Sequence, residues 1–352
     1  RLGARTAREL TRALPMASAD FVREWFEHDA VCGPLVARGT LMTAMGPWSS
    51  GSTLTLLSDM AEGDGGAAGE AAQVRGGAAV LAEALHRAAE AAGVEVRTGA
   101  AVREILADDD GVGGVELESG ERIEARAVAS SLAPRTTLVD LLDPEVTGPR
   151  MRWRAGTIRA RGHVAAVELD LSELPGFTGV DDPELLQGRI VVAPGIDAIE
   201  RAFDASKYGE TSARPQIEAV IPTLLDPGSR TGHTLRALVQ WVPAHVDPDI
   251  AGDLLVDELE RHAPGIGALV TQRRVLTPAR LEREYGAPGG HLLHAEPGLD
   301  QFFAWRPVLG LARYRLGIRG LYLCGSGGHP GGGLTGGPGE NAAREIARDL
   351  TR

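Results

Sequence analysis

Residues 320–341 read GLYLCGSGGHPGGGLTGGPGEN, and this C-terminal stretch decides the fold. A short apolar run that is typical of a strand leads into residues 325–339, which contain nine glycines, and a helical pattern follows. Glycine lets the backbone approach a ligand closely because it has no Cβ. A helix N-terminus adds unpaired N–H groups and a partial positive charge. The stretch therefore predicts a strand–loop–helix cradle for a phosphate or for an electron-rich ring oxygen.

Residues 331–336 also match the pattern GxGxxG. A dinucleotide fingerprint needs an acidic residue about 20 positions further on, and the chain reaches Arg352 before that position. We therefore interpret the segment as a ligand cradle and not as the fingerprint itself. An ordinary tight turn is the alternative, but so many glycines disfavour it because each costs conformational entropy. Residues 63–68 match the looser pattern GxGxx[GA], but they follow no strand and the match is interpreted as accidental.

Composition excludes several classes of protein. The chain has 352 residues, is 43% hydrophobic and carries a net charge of −12. This length allows one large or two ordinary domains, and the negative charge argues against a nucleic-acid partner. No apolar run approaches the roughly 20 residues of a membrane span. The two cysteines, Cys32 and Cys324, lie far apart, which suits a reducing compartment and predicts a cytoplasmic location.

Periodicity predicts how the chain is organised. Residues 1–60 have apolar positions at helical spacing, and an amphipathic helix that begins after Gly77 ends at Gly93. Strands are predicted at 94–97, 101–106, 113–117, 122–125 and 127–130, and a helix at 134–142. Further along, β-like runs occupy 163–169, 189–193, 216–222 and 233–242, with a helix at 250–262. This order predicts a sheet-bearing second domain inserted between two parts of a first.

Other candidate motifs are weaker. Arg75-Gly76-Gly77 precedes a helix, so its glycines either allow close approach to a cofactor or cap the helix. His291 and His294 have no third ligand nearby, and no metal site is predicted. His329 lies inside the glycine-rich stretch, where a hydrogen bond that braces the loop and a proton relay are both open.

Several stretches resemble a known family. The tail at 320–339 is similar to the C-terminal signature of phytoene-desaturase-like FAD-dependent oxidoreductases, and within them to the branch of pyridine nucleotide-disulfide oxidoreductase domain-containing proteins. The same branch is resembled by GGHLLH at 289–294, LDQFF at 299–303 with Arg306-Pro307, VRGG at 74–77 and ADFVREWF at 19–26.

The resemblance implies an α/β, amine-oxidase-like FAD/NAD(P)-binding flavoprotein fold. In it, a discontinuous FAD domain is interleaved with an α+β substrate domain of sheet plus helices. Residues 1–72 would form the helical part of the substrate domain, 73–135 an FAD-domain segment, 136–290 the substrate domain and 291–352 the C-terminal FAD-domain segment. Family members begin with a βαβ unit that carries GxGxxG and a ribose-binding Glu. Neither is present in this sequence, so we expect an exposed sheet edge and apolar surface where that unit packs.

The resemblance also implies which residues contact FAD. Gly325 and Ser326 would approach the pyrophosphate and ribityl chain, and the strand from 101 would pass the adenine. Val102, on that strand, would contact the adenine through its backbone. The other residues would lie near the isoalloxazine ring: Arg75, Gly76, Gly77, Gly332, Gly333, Leu334, Thr335 and Gly336.

The function implied is that of the C-terminal portion of an FAD-dependent oxidoreductase, which passes hydride from an apolar, carotenoid- or isoprenoid-like substrate to the flavin. Because the cofactor performs the difficult step, no catalytic side chain is assigned. A non-catalytic binding or escort protein on the same fold and an amine-oxidase-like flavoenzyme are the alternatives. An apolar substrate would favour peripheral membrane contact, although no basic amphipathic helix is evident. The oligomeric state is not predicted.

Overall fold

The computed structural model describes residues 3–61, 74–226, 228 and 232–351. The chain divides into two compact units. The first unit comprises Arg1–Glu95 and Gly162–Tyr285, and the second comprises Val96–Arg161 and Gly286–Arg352. The predicted segment boundaries at 72, 135 and 290 differ from these unit boundaries at 95, 161 and 285. The assignment of segments to an FAD domain and a substrate domain stays a prediction.

The helices, in chain order, are α1 (Ala4–Ala13), α2 (Ser18–Arg23), α3 (Asp29–Thr40), α4 (Ser52–Ala61), α5 (Ala78–Ala91), α6 (Pro144–Gly156), α7 (Ile196–Lys207), α8 (Pro248–Glu260), α9 (Ile266–Leu269), α10 (Pro278–Tyr285) and α11 (Gly337–Leu350). The strands are β1 (Val102–Asp108), β2 (Gly111–Leu117), β3 (Arg122–Glu124), β4 (Val128–Ser130), β5 (Val164–Leu171), β6 (Ile190–Val192), β7 (Ile217–Val220), β8 (His233–Gln240), β9 (Val270–Leu276) and β10 (Leu321–Leu323). The predicted helix at 134–142 is a π-helical turn at Thr136–Asp140.

A five-stranded antiparallel sheet forms the centre of the first unit, in the order β6-β7-β8-β5-β9. Side chains alternate between its faces, as expected of a strand. One face is apolar and packs against α8, where Leu169, Leu235 and Leu255 are fully buried. The other face carries charged residues and is only partly buried.

A helical layer in the same unit has its own core. Helices α2, α3 and α7 bury Val22, Val36 and Ile199 together with Trp241. Helix α3 packs tightly at Gly33, because a Cβ there would lie 2.1 Å from the Ala193 oxygen. Such a close approach of two backbones admits only glycine.

The second unit contains an antiparallel sheet, β1-β2-β3, and a parallel pair, β4 and β10. Its apolar core includes Ile105, Leu138, Leu316 and Leu321. Helix α11 follows β10 through the glycine-rich stretch. The predicted strand–loop–helix order at the C-terminus is therefore present.

The strand predicted at 94–97 is wrong. Val94 and Val96 are 52% and 44% exposed, and no described strand forms a ladder with this segment. Alternating valines favour extended backbone, but a strand also needs a neighbour for its backbone hydrogen bonds. The valines of this segment favour extended backbone, but no described strand lies beside them to form the backbone hydrogen bonds.

Helix α5 precedes this segment and presents an apolar face to solvent. None of its residues is buried, and Leu85 is 64% exposed. The sheet edge and apolar surface expected beside a βαβ unit stay a prediction. The predicted loop at 61–69 and the accidental GxGxx[GA] match at 63–68 lie outside the described residues, apart from Ala61 at the end of α4.

In the described part of the chain, no group of three or more His, Cys, Asp or Glu side chains is placed to hold a metal ion. The helices described here are all too short or too polar to cross a bilayer.

Candidate functional site

The parallel pair β4 and β10 brings two strand ends together in the second unit. Val128 pairs with Leu321 and Ser130 with Leu323, so the carboxyl ends of both strands lie at the same edge. All of β10 is buried, as its apolar sequence predicts. Ligands of open α/β sheets bind outside the carboxyl ends of parallel strands. This edge is therefore the candidate site.

The turn after β10 lies directly against the turn after β4. A Cβ on Gly325 would lie 2.1 Å from the Ser131 oxygen, and one on Gly327 would lie 2.3 Å from Cδ of Pro134. The Cys324 N–H donates to the Ser130 oxygen at 2.8 Å. These two glycines are therefore required by the chain's own packing, in addition to any ligand that they approach.

Arg306 lies behind this turn and is buried, at 2% exposure. Its guanidinium donates to the backbone oxygens of Leu293 at 3.0 Å, Ala295 at 3.3 Å and Ser326 at 2.7 Å. No described carboxylate forms an ion pair with it. Burial lowers the pKa of Arg306 to about 10, so the group keeps its charge at neutral pH. The site thus contains a buried positive charge that is matched only by carbonyl dipoles.

Three buried polar atoms near this charge lack a hydrogen-bond partner among the described residues: Nε of Arg306, Nδ1 of His294 and Nδ1 of His329. Burial, and secondarily the charge of Arg306, lower the pKa of both histidines. Both rings are therefore neutral at pH 7. Buried polar atoms are almost always satisfied in native proteins, so this group of three indicates that a polar ligand or water belongs here.

The loop from Gly331 to Gly336 joins this region to α11. A Cβ on Gly331 would lie 3.7 Å from Nε of Arg306, and one on Gly332 would lie 2.3 Å from Cδ2 of Leu293. Gly333 and Gly336 have φ angles of 100° and 69°. The left-handed backbone at these two positions explains why the sequence has glycine there.

Leu334 and Thr335 stand between those glycines. Leu334 has a φ of 57° and is 87% exposed, so a large apolar side chain lies in a strained, solvent-facing conformation. The Thr335 hydroxyl accepts from the Gly337 N–H at 3.2 Å. Helix α11 otherwise begins without a side-chain cap, which leaves the positive end of its dipole available to an anion.

An aromatic pair lies beside the loop. The rings of Phe302 and Phe303 meet edge to face at 4.7 Å, and Phe303 is 6.2 Å from the His329 ring. Phe303 has a φ of 46° and is 47% exposed. Aromatic faces next to a glycine-rich loop suit a planar ligand.

The structure brings together only some of the predicted residues. Ser326 and Gly332 are linked through Arg306 and Leu293, whereas Gly325 packs against Ser131. Gly333, Leu334, Thr335 and Gly336 continue the same loop. Val102 lies opposite Leu117 in the three-stranded sheet of the same unit.

Arg75, Gly76 and Gly77 belong to the first unit. The Gly76 N–H donates to the Asp226 carboxylate, and Gly77 is the N-cap of α5. These contacts support the capping alternative for the two glycines, and their contact with a cofactor stays a prediction.

Sequence reasoning missed Arg306, His294 and Phe303 as members of the site. All three residues lie in stretches that carry the family resemblance, at 289–294, at 299–303 and at Arg306-Pro307. The resemblance did not show that the Arg306 side chain is buried against Ser326.

The residues fit FAD. Glycines at the carboxyl end of β10, beside its parallel partner β4, allow a pyrophosphate to approach the backbone, and the N-terminus of α11 favours its negative charge. The unpartnered nitrogens of Arg306, His294 and His329 offer hydrogen bonds to the polar edge of a flavin ring. FAD is the cofactor that this arrangement suits.

Comparison with known proteins agrees with this geometry. Residues 18–172 match the family model of flavin containing amine oxidoreductases. The chain is 32% identical over 346 residues to pyridine nucleotide-disulfide oxidoreductase domain-containing protein 2 of Rattus norvegicus, covering 93% of this chain and 60% of that protein. It is 28% identical to a neurosporene-forming phytoene desaturase of Cereibacter sphaeroides, covering 74% of this chain and 50% of that protein. The chain thus spans 50–60% of the length of these relatives.

A solved structure supports the fold. Cyclohexylamine oxidase of Brevibacterium oxydans superposes with a TM-score of 0.57 at 16% identity, covering 97% of this chain and 69% of that chain. This similarity confirms the amine-oxidase-like α/β fold. The sequence relatives make the chain similar to the phytoene-desaturase-like FAD-dependent oxidoreductases.

Proposed function

We propose that this chain forms the C-terminal portion of an FAD-dependent oxidoreductase that removes hydride from an apolar, carotenoid- or isoprenoid-like substrate. The observation that carries the proposal is the buried charge of Arg306 behind the glycine-rich segment that follows β10, where that segment packs against the turn after β4. The phytoene desaturase among the relatives supports the choice of an apolar substrate.

Each part of the site has a distinct role in this proposal. Gly325 and Ser326 bring backbone close to the pyrophosphate, and the loop from Gly332 to Gly336 lies along the flavin ring. Bound FAD supplies the hydride acceptor. Arg306 favours negative charge at the loop, because a buried cation without a carboxylate partner gains most from an anion. His294 and His329 are neutral and can hydrogen-bond without adding charge.

The visible spectrum of the purified chain, after FAD is added and the excess removed, tests the proposal. We expect a retained flavin band with a protein-perturbed shape. The same measurement on a version extended to the length of the relatives gives the reference affinity. If neither protein retains flavin, the proposal is wrong.

A matched pair of variants locates the flavin. Gly339 lies in the first turn of α11, and a Cβ there would meet only the Cys324 oxygen, at 3.9 Å. In Gly339→Asp the new carboxylate stabilises the helix N-terminus by about 0.3–1 kcal/mol, yet it repels a bound phosphate. We expect at least about tenfold weaker flavin retention, which corresponds to roughly 1.4 kcal/mol. Gly339→Ala makes the same backbone change without the charge and should retain flavin.

The alternatives give different results. A non-catalytic escort protein would either retain no flavin or retain a flavin that none of the added compounds reduces. An amine oxidase would reduce its flavin with a primary amine but not with an isoprenoid hydrocarbon. Anaerobic bleaching of the flavin band by each class of compound separates the three functions.

A further inference from the structure

A cavity lies wholly within the first unit, on the partly buried face of the five-stranded sheet. Its volume is about 310 Å³, and strands β5, β7, β8 and β9 supply its lining. This volume is in the range of small-molecule sites. The lining includes the exposed Arg236 and Arg274, so the cavity opens to solvent.

Strand register arranges the lining in two parallel rows. In the apolar row, Ala166 pairs with Leu238 on one side and with Leu276 on the other. In the charged row, Glu168 pairs with Arg236 on one side and with Arg274 on the other. Because side chains two residues apart on a strand share a face, the two rows lie side by side on the floor of the cavity.

The charged row has an excess positive charge. Nε of Arg236 donates to Glu168 at 2.6 Å, which balances one guanidinium. Arg274 donates to the Tyr285 hydroxyl at 3.2 Å and forms no ion pair with any described residue. One cation of this row is therefore available to an anion.

The charges at the end of the cavity are balanced separately. Glu218 lines the cavity and is paired with Arg38 and Arg189, and Arg38 also pairs with Asp59. This group of two cations and two anions is neutral. Asp170, which lies one row further along β5, does not line the cavity and accepts a hydrogen bond from Thr234.

We propose that this cavity binds a small amphipathic carboxylate, that is, an apolar chain that ends in an acidic group. The apolar row of Leu238, Ala166 and Leu276 receives the chain, because burial of its CH₂ groups removes apolar surface from water. The guanidinium of Arg274 receives the carboxylate, because its planar fork matches the two oxygens. A cationic head group is repelled, and a neutral one gains only the apolar contacts. The proposal concerns binding and does not depend on flavin chemistry.

Calorimetric titration of the chain with octanoate, octanol and octylammonium tests this site. We expect saturable, single-site binding of octanoate, at least about tenfold tighter than octanol, and no binding of octylammonium. Equal affinities for octanoate and octanol, or the absence of saturable octanoate binding, would overturn the proposal.

Three variants assign the binding to this cavity. Arg274→Met should weaken octanoate binding about tenfold and leave octanol unchanged. Arg273→Met is the matched control, because Arg273 is the next residue on β9, faces the other side of the sheet and pairs with Asp249 and Asp253. Equal effects of these two variants would overturn the assignment.

Glu168→Gln should act in the opposite direction. It removes the carboxylate that competes for the guanidiniums, so octanoate should bind severalfold tighter. A variant that merely damaged the sheet would weaken binding. Thermal melting followed by circular dichroism checks that each variant is folded. If Arg274→Met does not fold, the affinity of Glu168→Gln for octanoate still tests the proposal.

Discussion

Nη2 of Arg306 lies 2.7 Å from the backbone oxygen of Ser326, so a residue that precedes β10 by 15 positions supports the turn that follows it. The same guanidinium holds the Leu293 and Ala295 oxygens. One buried side chain therefore determines how two loops of the candidate site lie against each other. This relationship is the basis of the first prediction.

Arg306→Met should destabilise the protein and abolish flavin retention. The substitution leaves several buried carbonyls without their donor, which costs roughly 1–3 kcal/mol for each group left unsatisfied. We expect the free energy of unfolding, measured by urea denaturation, to fall by about 3 kcal/mol. Arg313→Met is the control, because Arg313 is exposed in the same unit. An unchanged urea midpoint for Arg306→Met would refute the role assigned to the side chain.

Gly325→Ala should be among the most damaging alanine substitutions in the second unit. The new Cβ would lie 2.1 Å from the backbone oxygen of Ser131, which cannot move aside as a flexible side chain would. We expect the midpoint of thermal unfolding to drop by about 3 °C, from a loss of roughly 2 kcal/mol in a chain of this length. Gly156→Ala, in α6 with nothing within 4 Å of the new Cβ, should be neutral or slightly stabilising. Similar melting points for the two variants would contradict this packing.

The histidines of the site should make stability depend on pH near neutrality. Burial lowers the pKa of His294 below its ordinary value of 6.5, so the unfolded chain binds a proton more readily than the folded one. Stability is therefore complete above pH 6.5 and is lost as the pH falls from 6.5 toward the lowered pKa. We expect the free energy of unfolding, measured by urea denaturation, to decrease between pH 7 and pH 5.

His294→Asn should flatten that decrease, and Asn tolerates the positive φ of 60° at this position. His86→Asn changes an exposed histidine of α5 and serves as the control. If wild type and His294→Asn lose stability in parallel over this range, His294 is not the group responsible.

Cys324 should react slowly with alkylating reagents at neutral pH. Burial raises the pKa of its thiol above the ordinary value of 9.0, and the thiolate is the reactive form. We expect alkylation by iodoacetamide, followed by mass spectrometry, to accelerate steadily from pH 8 to pH 10. A Cys32→Ala background leaves Cys324 as the sole thiol. An alkylation rate that has already reached its plateau at pH 8 would contradict the raised pKa of the Cys324 thiol.

Local patterns determined much of the fold from the sequence alone. The β-like runs predicted at 163–169 and 233–242 are present as strands β5 and β8. Their side chains alternate between the two faces of the sheet with a period of two residues. The glycines at 325–336 predicted the strand–loop–helix cradle, because the left-handed backbone and close approaches found there require that residue. The family resemblance likewise depends on contiguous stretches of residues, so the linear order of the chain is enough to carry it.

Only the tertiary structure showed which distant residues meet. Arg306 became part of the site through contacts with Leu293 and Ser326, which no local pattern encodes. The valines at 94–97 favour a strand, yet they remain unpaired because pairing depends on a neighbouring segment and not on the residues themselves. The excess charge at Arg274 emerges from the register of β5, β8 and β9. Periodicity is a property of neighbours in the chain, whereas burial, pairing and charge balance depend on neighbours in space.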